Sequence, residues 1–152
     1  MLRLTRLGGL ARAEAGSAVA EMAIVAPLLV LLLFGIIEVG RYAQFSIVVS
    51  NAARAGVQYG AQNLVTASDL SGMQTAALND GQNLAQIEAI AKQYCTCADG
   101  TSSTCAPADC ATSHRLVFVQ VDTTGTFTSL IHYPGLPSGQ TITSRAIMRV
   151  AQ

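Results

Sequence analysis

The strongest pattern in the chain is a charge-free apolar run, Met22 to Ile37, inside the stretch Gly16–Arg41 that reads GSAVAEMAIVAPLLVLLLFGIIEVGR. A bilayer core takes about 20 mostly apolar residues as helix. Ser17–Ile37 reaches that length when Glu21 is counted inside it, so residues 17–38 are read as a transmembrane helix. Pro27 removes the hydrogen bond to the Ala23 carbonyl and crowds it, and a bend is expected there. Past the run, Tyr42, Phe45, Val49, Ala52, Gly56 and Tyr59 recur at three- and four-residue steps, which marks one apolar face. The two patterns join into a single helix over about 17–62, half in the membrane and half outside. The small residues on its outer half let another element come close, either its own sheet or a neighbouring subunit.

Downstream, the signals weaken and then turn to strands. Ser68-Asp69 suggests a cap for a short helix, but Ser71-Gly72 and Asn79-Asp80-Gly81 read as turns. Asp80 is taken as the cap of a second helix over about 82–94, with Leu84, Ile87, Ala91 and Tyr94 as its buried stripe. Residues 115–122, RLVFVQVD, alternate as a strand with Val117, Val119 and Val121 on one face. Thr123-Thr124-Gly125 is read as a turn or bulge, with strand resuming over 126–131. Residues 132–140, HYPGLPSGQ, are a loop. The last strand runs over 141–150, with Ile142, Ala146, Met148 and Val150 inward and Thr143, Arg145 and Arg149 outward. The class is α+β: a long N-terminal helix, a second shorter helix and a small antiparallel β-sheet packed on the long helix.

Charge adds orientation. Three arginines, Arg3, Arg6 and Arg12, precede the apolar run, and basic residues favour the cytoplasmic side. This predicts a single-pass protein of the inner membrane with a cytoplasmic N-terminus and an extracytoplasmic domain over 39–152. A cleaved secretory signal is the rival, but its apolar stretch should be about 7–15 residues. Here the stretch is longer, and Glu38 and Arg41 stand where small residues should follow. The full chain has nine basic and nine acidic residues; without residues 1–16, six and eight remain. No basic stripe is left for nucleic acid.

Cys95, Cys97, Cys105 and Cys110 lie together in a loop, 95–113, rich in Ser, Thr, Ala, Asp and Gly. In an oxidising compartment disulfides are the default. A Cys95–Cys97 bond would close a strained ring, so each of these two reaches forward to Cys105 or Cys110, and the pairing stays open. The C-x-C-x7-C-x4-C spacing fits no common zinc pattern. The loop is read as a staple for a small domain with few aromatics, and an exposed contact site is its functional rival.

Glu21 is the fifth residue after Gly16. A basic leader ending in glycine, then Glu at the fifth position, then an apolar helix, resembles the processing motif of type IV pilin precursors. The wider string AVAEMAIVAPLLVLLLFGIIEVGR resembles the TadE family of minor pilin-like proteins of tight-adherence (Flp) pilus systems. The positions that carry the likeness are Gly16, Glu21, Pro27, the Leu-rich run, Gly35, Glu38, Gly40 and Arg41. Met22 stands where the major pilins of these systems usually have Tyr, which points to a minor pilin.

The resemblance implies a leader peptide over 1–16, cut by a membrane-embedded aspartyl prepilin peptidase between Gly16 and Ser17. Glu21 would then face the new amino terminus, its own or a neighbour's, and set register during assembly. Glycine suits the cut because it lacks Cβ. The partners implied are the prepilin peptidase, other pilin and minor pilin subunits, the inner-membrane assembly platform and the bilayer. The product would stay in the inner membrane or enter an extracellular pilus, and the external part would be pilin-like.

No catalytic constellation is evident. His114 and His132 are isolated, and no glycine-rich phosphate loop or cofactor motif is present. The chain reads as a substrate of an enzyme rather than an enzyme. The alternative function is an uncleaved single-span protein whose external domain, with its Thr-rich strands and cysteine loop, binds a surface ligand or envelope partner.

Overall fold

The structure, a computed structural model, describes residues 8–84, 86–106, 108–130 and 139–151, with side chains from residue 16. The elements in order are helix α1 (Gly8–Gly60), α2 (Leu64–Ser68), α3 (Leu70–Asp80), and strands β1 (Ile87–Cys97), β2 (Ser102–Ser103), β3 (Arg115–Thr128) and β4 (Gly139–Arg149). The chain divides into two units, Met1–Arg41 and Tyr42–Gln152. The class is α+β, as the pattern predicts. The leader reading falls partly outside the described residues; Gly8–Gly16 lie within α1.

The first unit is helix alone. Pro27 lies inside α1 without ending it. The leucines there point outward, from Leu28 at 64 % exposed to Leu33 at 58 %.

The second unit is a four-stranded antiparallel sheet in the order β2-β1-β3-β4, covered by α2, α3 and the α1 residues from Tyr42 onward. Its core follows from two periodicities meeting. On α1, Val49, Ala52, Ala53 and Val57 are buried at 0–1 % exposure. On β3, alternation sends Val117, Val119 and Val121 to the same interior. Small residues set the spacing: a Cβ on Gly56 would lie 2.9 Å from the Met73 carbonyl oxygen and 3.0 Å from Val121. Met73 and Ala77 of α3 complete the cluster. The C-terminal end closes it, with the Val150 N–H donating to the Val117 carbonyl at 2.9 Å and the Ala151 N–H to the Ala61 carbonyl at 3.0 Å.

The single long helix expected over about 17–62 is present, with bounds Gly8–Gly60. Several other expectations are corrected. The second helix is α3, over Leu70–Asp80, and residues 87–97 form β1 instead of a helix over 82–94. All eleven β1 residues pair with β3, from Ile87↔Gly125 to Cys97↔Arg115. Asp80 therefore ends a helix and caps none, while Asp69 is the residue that caps α3. Ser71 and Gly72 lie within that helix.

Thr123–Gly125 is neither turn nor bulge. Pairing runs through it without insertion, Ala89↔Thr123 on one side and Thr123↔Ser144 on the other. The fully buried Thr123 hydroxyl donates to the Val49 carbonyl at 2.8 Å. A Cβ on Gly125 would stand 3.0 Å from the Phe45 ring. Helix contact, rather than chain reversal, selects these residues. The last strand is Gly139–Arg149, so Gly139 and Gln140 leave the expected loop. Ile142 and Ala146 are half-buried and Val150 is buried, but Met148, expected inward, is 39 % exposed. Ile131, His132 and the rest of the loop to Ser138 lie outside the described residues.

A substitution at Gly56 tests this close approach. Gly56→Ala should lower the unfolding free energy of the full chain in detergent by about 1–3 kcal/mol, through overpacking against a backbone carbonyl. Gly40→Ala, where an added Cβ meets nothing within 4 Å, should not lower it. Urea unfolding followed by near-UV circular dichroism measures both.

Candidate membrane and assembly segment

Met22–Ile37 as helix spans about 24 Å, and Ser17–Ile37 about 31 Å, against a hydrocarbon core of about 30 Å. The most apolar 18-residue window of α1 has a mean hydropathy of 2.7, and none of it is buried within the protein. The helix is apolar all round here, as a membrane span is and an amphipathic surface helix is not. One helix of the described residues is therefore long and apolar enough to cross a membrane.

Polar groups mark both ends of the run. Ser17 and Glu21 are one turn apart, with Ser17 Oγ 3.5 Å from Glu21 Oε1. At the other end Arg41 Nη1 donates to Glu38 Oε2 at 3.0 Å, an i,i+3 ion pair with Glu38 the more buried partner. Gly16 and Ser17 are exposed, and nothing stands within 4 Å of where a Gly16 Cβ would be. The Gly16–Ser17 peptide is helical, so any protease acting there must first unwind it. Pro27 lies between the two polar ends, with no donor of its own to offer.

The four cysteines form a separate cluster. Cys95 bonds Cys105 and Cys97 bonds Cys110. Alternation on β1 turns Cys95 and Cys97 to the same interior face, where they are 4 % and 2 % exposed, so the loop is fastened to the core from below. Cys105 has φ 73°, in the left-handed region, and its carbonyl accepts from the Arg115 guanidinium.

Two aspartates organise the rest of the loop. Asp109 Oδ2 accepts from the Thr104 N–H (2.6 Å), the Thr104 hydroxyl (2.7 Å) and the Ser103 hydroxyl (3.0 Å). Asp99 Oδ1 accepts from the Thr101 hydroxyl (2.7 Å) and N–H (3.0 Å). The Thr104 hydroxyl, then Ser103, hold the Asp109 carboxyl below its usual range, and Thr101 does the same for Asp99.

A third node lies where α1 meets α3. Tyr59 Oη donates to Asp69 Oδ2 at 2.8 Å, while Asp69 Oδ1 accepts from the Gly72 N–H at 2.9 Å. Gly72, then Tyr59 and Ser71, lower the Asp69 carboxyl, and the same bond raises the Tyr59 hydroxyl. Sequence reading saw Asp69 only as part of a cap and missed its partner. On the sheet, burial acts to raise Asp122, but hydrogen bonds from Arg145 Nε (2.6 Å) and Gln120 Nε2 (2.7 Å) outweigh it and leave the carboxyl lowered. These nodes are structural: each acid is satisfied by donors of its own fold. His132 lies outside the described residues, and the His114 carbonyl accepts from the Ala98 N–H at 2.9 Å.

With this geometry in view, the comparison with known families is decisive for one segment. Residues 16–58 match the family model for TadE-like protein. The match begins at the glycine of the suspected cleavage site, includes Glu21, Pro27, Glu38 and Arg41, and ends two residues before α1 does. It bears out the resemblance read from those positions. No curated protein and no solved structure is significantly similar to the chain. The TadE-like segment connects the chain to Tad/Flp-type pilus systems, and the family is a structural, pilus-associated one. A helix at the N-terminal end that is long and apolar enough to cross a membrane is consistent with a membrane-anchored pilus component.

The Asp109 node makes a pH prediction. Its folded-state pKa is lowered, so its contribution is fully present above the ordinary carboxylate value of about 3.9 and is lost as pH falls through the lower folded value. The Thr104 amide proton should therefore keep its hydrogen-bonded chemical shift at neutral pH and move upfield only in acid. In Asp109→Asn, both the downfield shift and this acid transition should be diminished, with the disulfides intact.

Proposed function

We propose that the chain is a TadE-like minor pseudopilin: a prepilin peptidase cuts it between Gly16 and Ser17, and the mature chain takes part in building a Flp-type pilus or a related secretion apparatus. The observation that carries the reading is the match over residues 16–58, which covers Gly16, Glu21 and the whole apolar run. The spacing supplies the mechanism. Cleavage would leave an ammonium on Ser17, one turn from Glu21. A carboxylate at the edge of lipid costs roughly 2.5–3.5 kcal/mol on insertion scales and is tolerated when it meets a cation. The amine of the same chain or of a neighbouring subunit provides one.

In this reading Glu21 sets register between subunits, and the charge-free run from Met22 to Ile37 holds the chain in the inner membrane until assembly. Arg3, Arg6 and Arg12 keep the leader on the cytoplasmic side, which places the disulfide-stapled domain in the oxidising compartment outside. The chain meets the peptidase as a substrate, and then other pilin subunits and the assembly platform as a building block.

Mass spectrometry of the mature N-terminus tests the proposal. The expected chain begins at Ser17, and Gly16→Ala should slow its appearance and accumulate the longer form. A mature chain starting elsewhere would contradict the proposal, and an intact leader in protein that resides permanently in the membrane would favour a single-span binding protein.

A further inference from the structure

The sheet ends on β4 with an open edge. The Val150 N–H donates to the Val117 carbonyl at 2.9 Å, and Arg149 pairs with Phe118 in the next row. In an antiparallel ladder the residues that bond the neighbouring strand recur at every second position. The even residues of β4 therefore bond β3. The N–H and C=O groups of Thr141, Thr143, Arg145, Ile147 and Arg149 point away from it, along the edge. Among the described residues no strand pairs with that side. Natural edges are usually blunted by brevity, proline or a bulge. β4 is 11 residues long, contains no proline, and pairs with β3 without insertion from Phe118↔Arg149 to Thr128↔Gly139.

The side chains of β4 show what fits there. Its core-facing residues are less covered than their row-mates on β3: Met148 is 39 % exposed, against 0 % for Val119, and Ile142, Ser144 and Ala146 are half-buried. The inward side chains of one more strand would complete this cover. On the outer face, Arg145 and Arg149 are the charged residues of β4, four positions and so about 13 Å apart. Arg145 holds Asp122 at 2.6 Å, yet its side chain stays 65 % exposed. Arg149 makes no ion pair among the described residues. A second β4 laid on this edge would bring the arginines of both copies to one seam, with no acid on either strand, and like charges across strands destabilise. Acids at matching positions are favoured for the same reason. β1, on the far side of β3, carries one charge of each sign, Glu88 and Lys92, and has no such bias.

We propose that β4 is a strand-acceptor edge. It takes up an extended segment of a different protein, in which inward apolar residues alternate with outward ones and two acids four positions apart meet Arg145 and Arg149. Main-chain hydrogen bonds supply the attachment, and the side chains on the two faces supply selectivity. The inward residues of the added strand cover Met148, whose unbranched thioether adapts to what it meets. This edge lies wholly within the second unit, and its use does not depend on cleavage after Gly16.

Two capped nine-residue peptides test this on the full chain in detergent micelles. Both have valine at even positions and threonine elsewhere, except that positions three and seven are glutamate in one peptide and lysine in the other. Amide hydrogen exchange followed by NMR reads each N–H. The glutamate peptide at about 1 mM should slow exchange at Thr143, Arg145 and Ile147 roughly tenfold, as the bound fraction rises. The lysine peptide should bind roughly tenfold more weakly, because two cross-strand pairs change from opposite to like charge. Arg149→Glu, at an exposed position, leaves one base and one acid on the edge and should erase the difference between the peptides. No slowing by the glutamate peptide, or equal slowing by both with the unsubstituted chain, would overturn the proposal. Slowing at these amides that grows with protein concentration in the absence of peptide would mean that a second copy occupies the edge, and would overturn it as well.

Discussion

The apolar surface of Met22–Ile37 has to leave water, and nothing among the described residues covers it. The leucines of this run point outward and the most apolar window of α1 is wholly unburied. At about 25 cal/mol per Å² of apolar area, such an exposed helix is untenable in an aqueous setting. Lipid or the equivalent helices of other subunits must enclose it. Glu21 lies at the start of this run, one helical turn from Ser17, with Ser17 Oγ 3.5 Å from its Oε1.

The second unit solves a different problem with the remainder of α1. Here the helix buries small residues, Ala52, Ala53 and Gly56, against the valines of β3. Small side chains bring the axes close but contribute little area each, so the core is thin for its length. Specific polar links compensate. The Thr123 hydroxyl reaches the Val49 carbonyl from inside the sheet, Tyr59 ties the end of α1 to the cap of α3, and two disulfides fasten the 98–113 loop to the buried side of β1. Closing loops of this size typically contributes about 2–4 kcal/mol.

How much of this was legible depends on whether the deciding contact was local. The apolar run was legible because composition alone makes it long and apolar enough to cross a membrane. The β3 valines were legible because β-branched residues at every second position have few other uses. The helix expected over 82–94 failed for a geometric reason: Ile87 and Ala91, four residues apart, share a face in a helix and in a strand alike. Tyr94 decides between the two, and its ring lies 5.4 Å from that of Phe118, away from the face of Cys95. Thr123–Gly125 looked like a reversal because local turn chemistry was the only signal available, whereas Phe45 and Val49, distant in sequence, are what call for a glycine there. Gly16, Glu21 and Pro27 stood out through resemblance, and the family match covers all three. The Tyr59–Asp69 bond joins residues ten apart across two elements, and no single-helix pattern announces it.

The central claim is that Glu21 is needed as an anion that pairs with a freed Ser17 amine. Glutamine keeps the shape and removes the charge, so Glu21→Gln isolates that claim. The most direct measurement is the share of processed chain recovered in the sheared pilus fraction rather than in the membrane. The account predicts a chain that is cut at Ser17 as usual but stays in the membrane. Normal recovery of Glu21→Gln in the pilus fraction would contradict it.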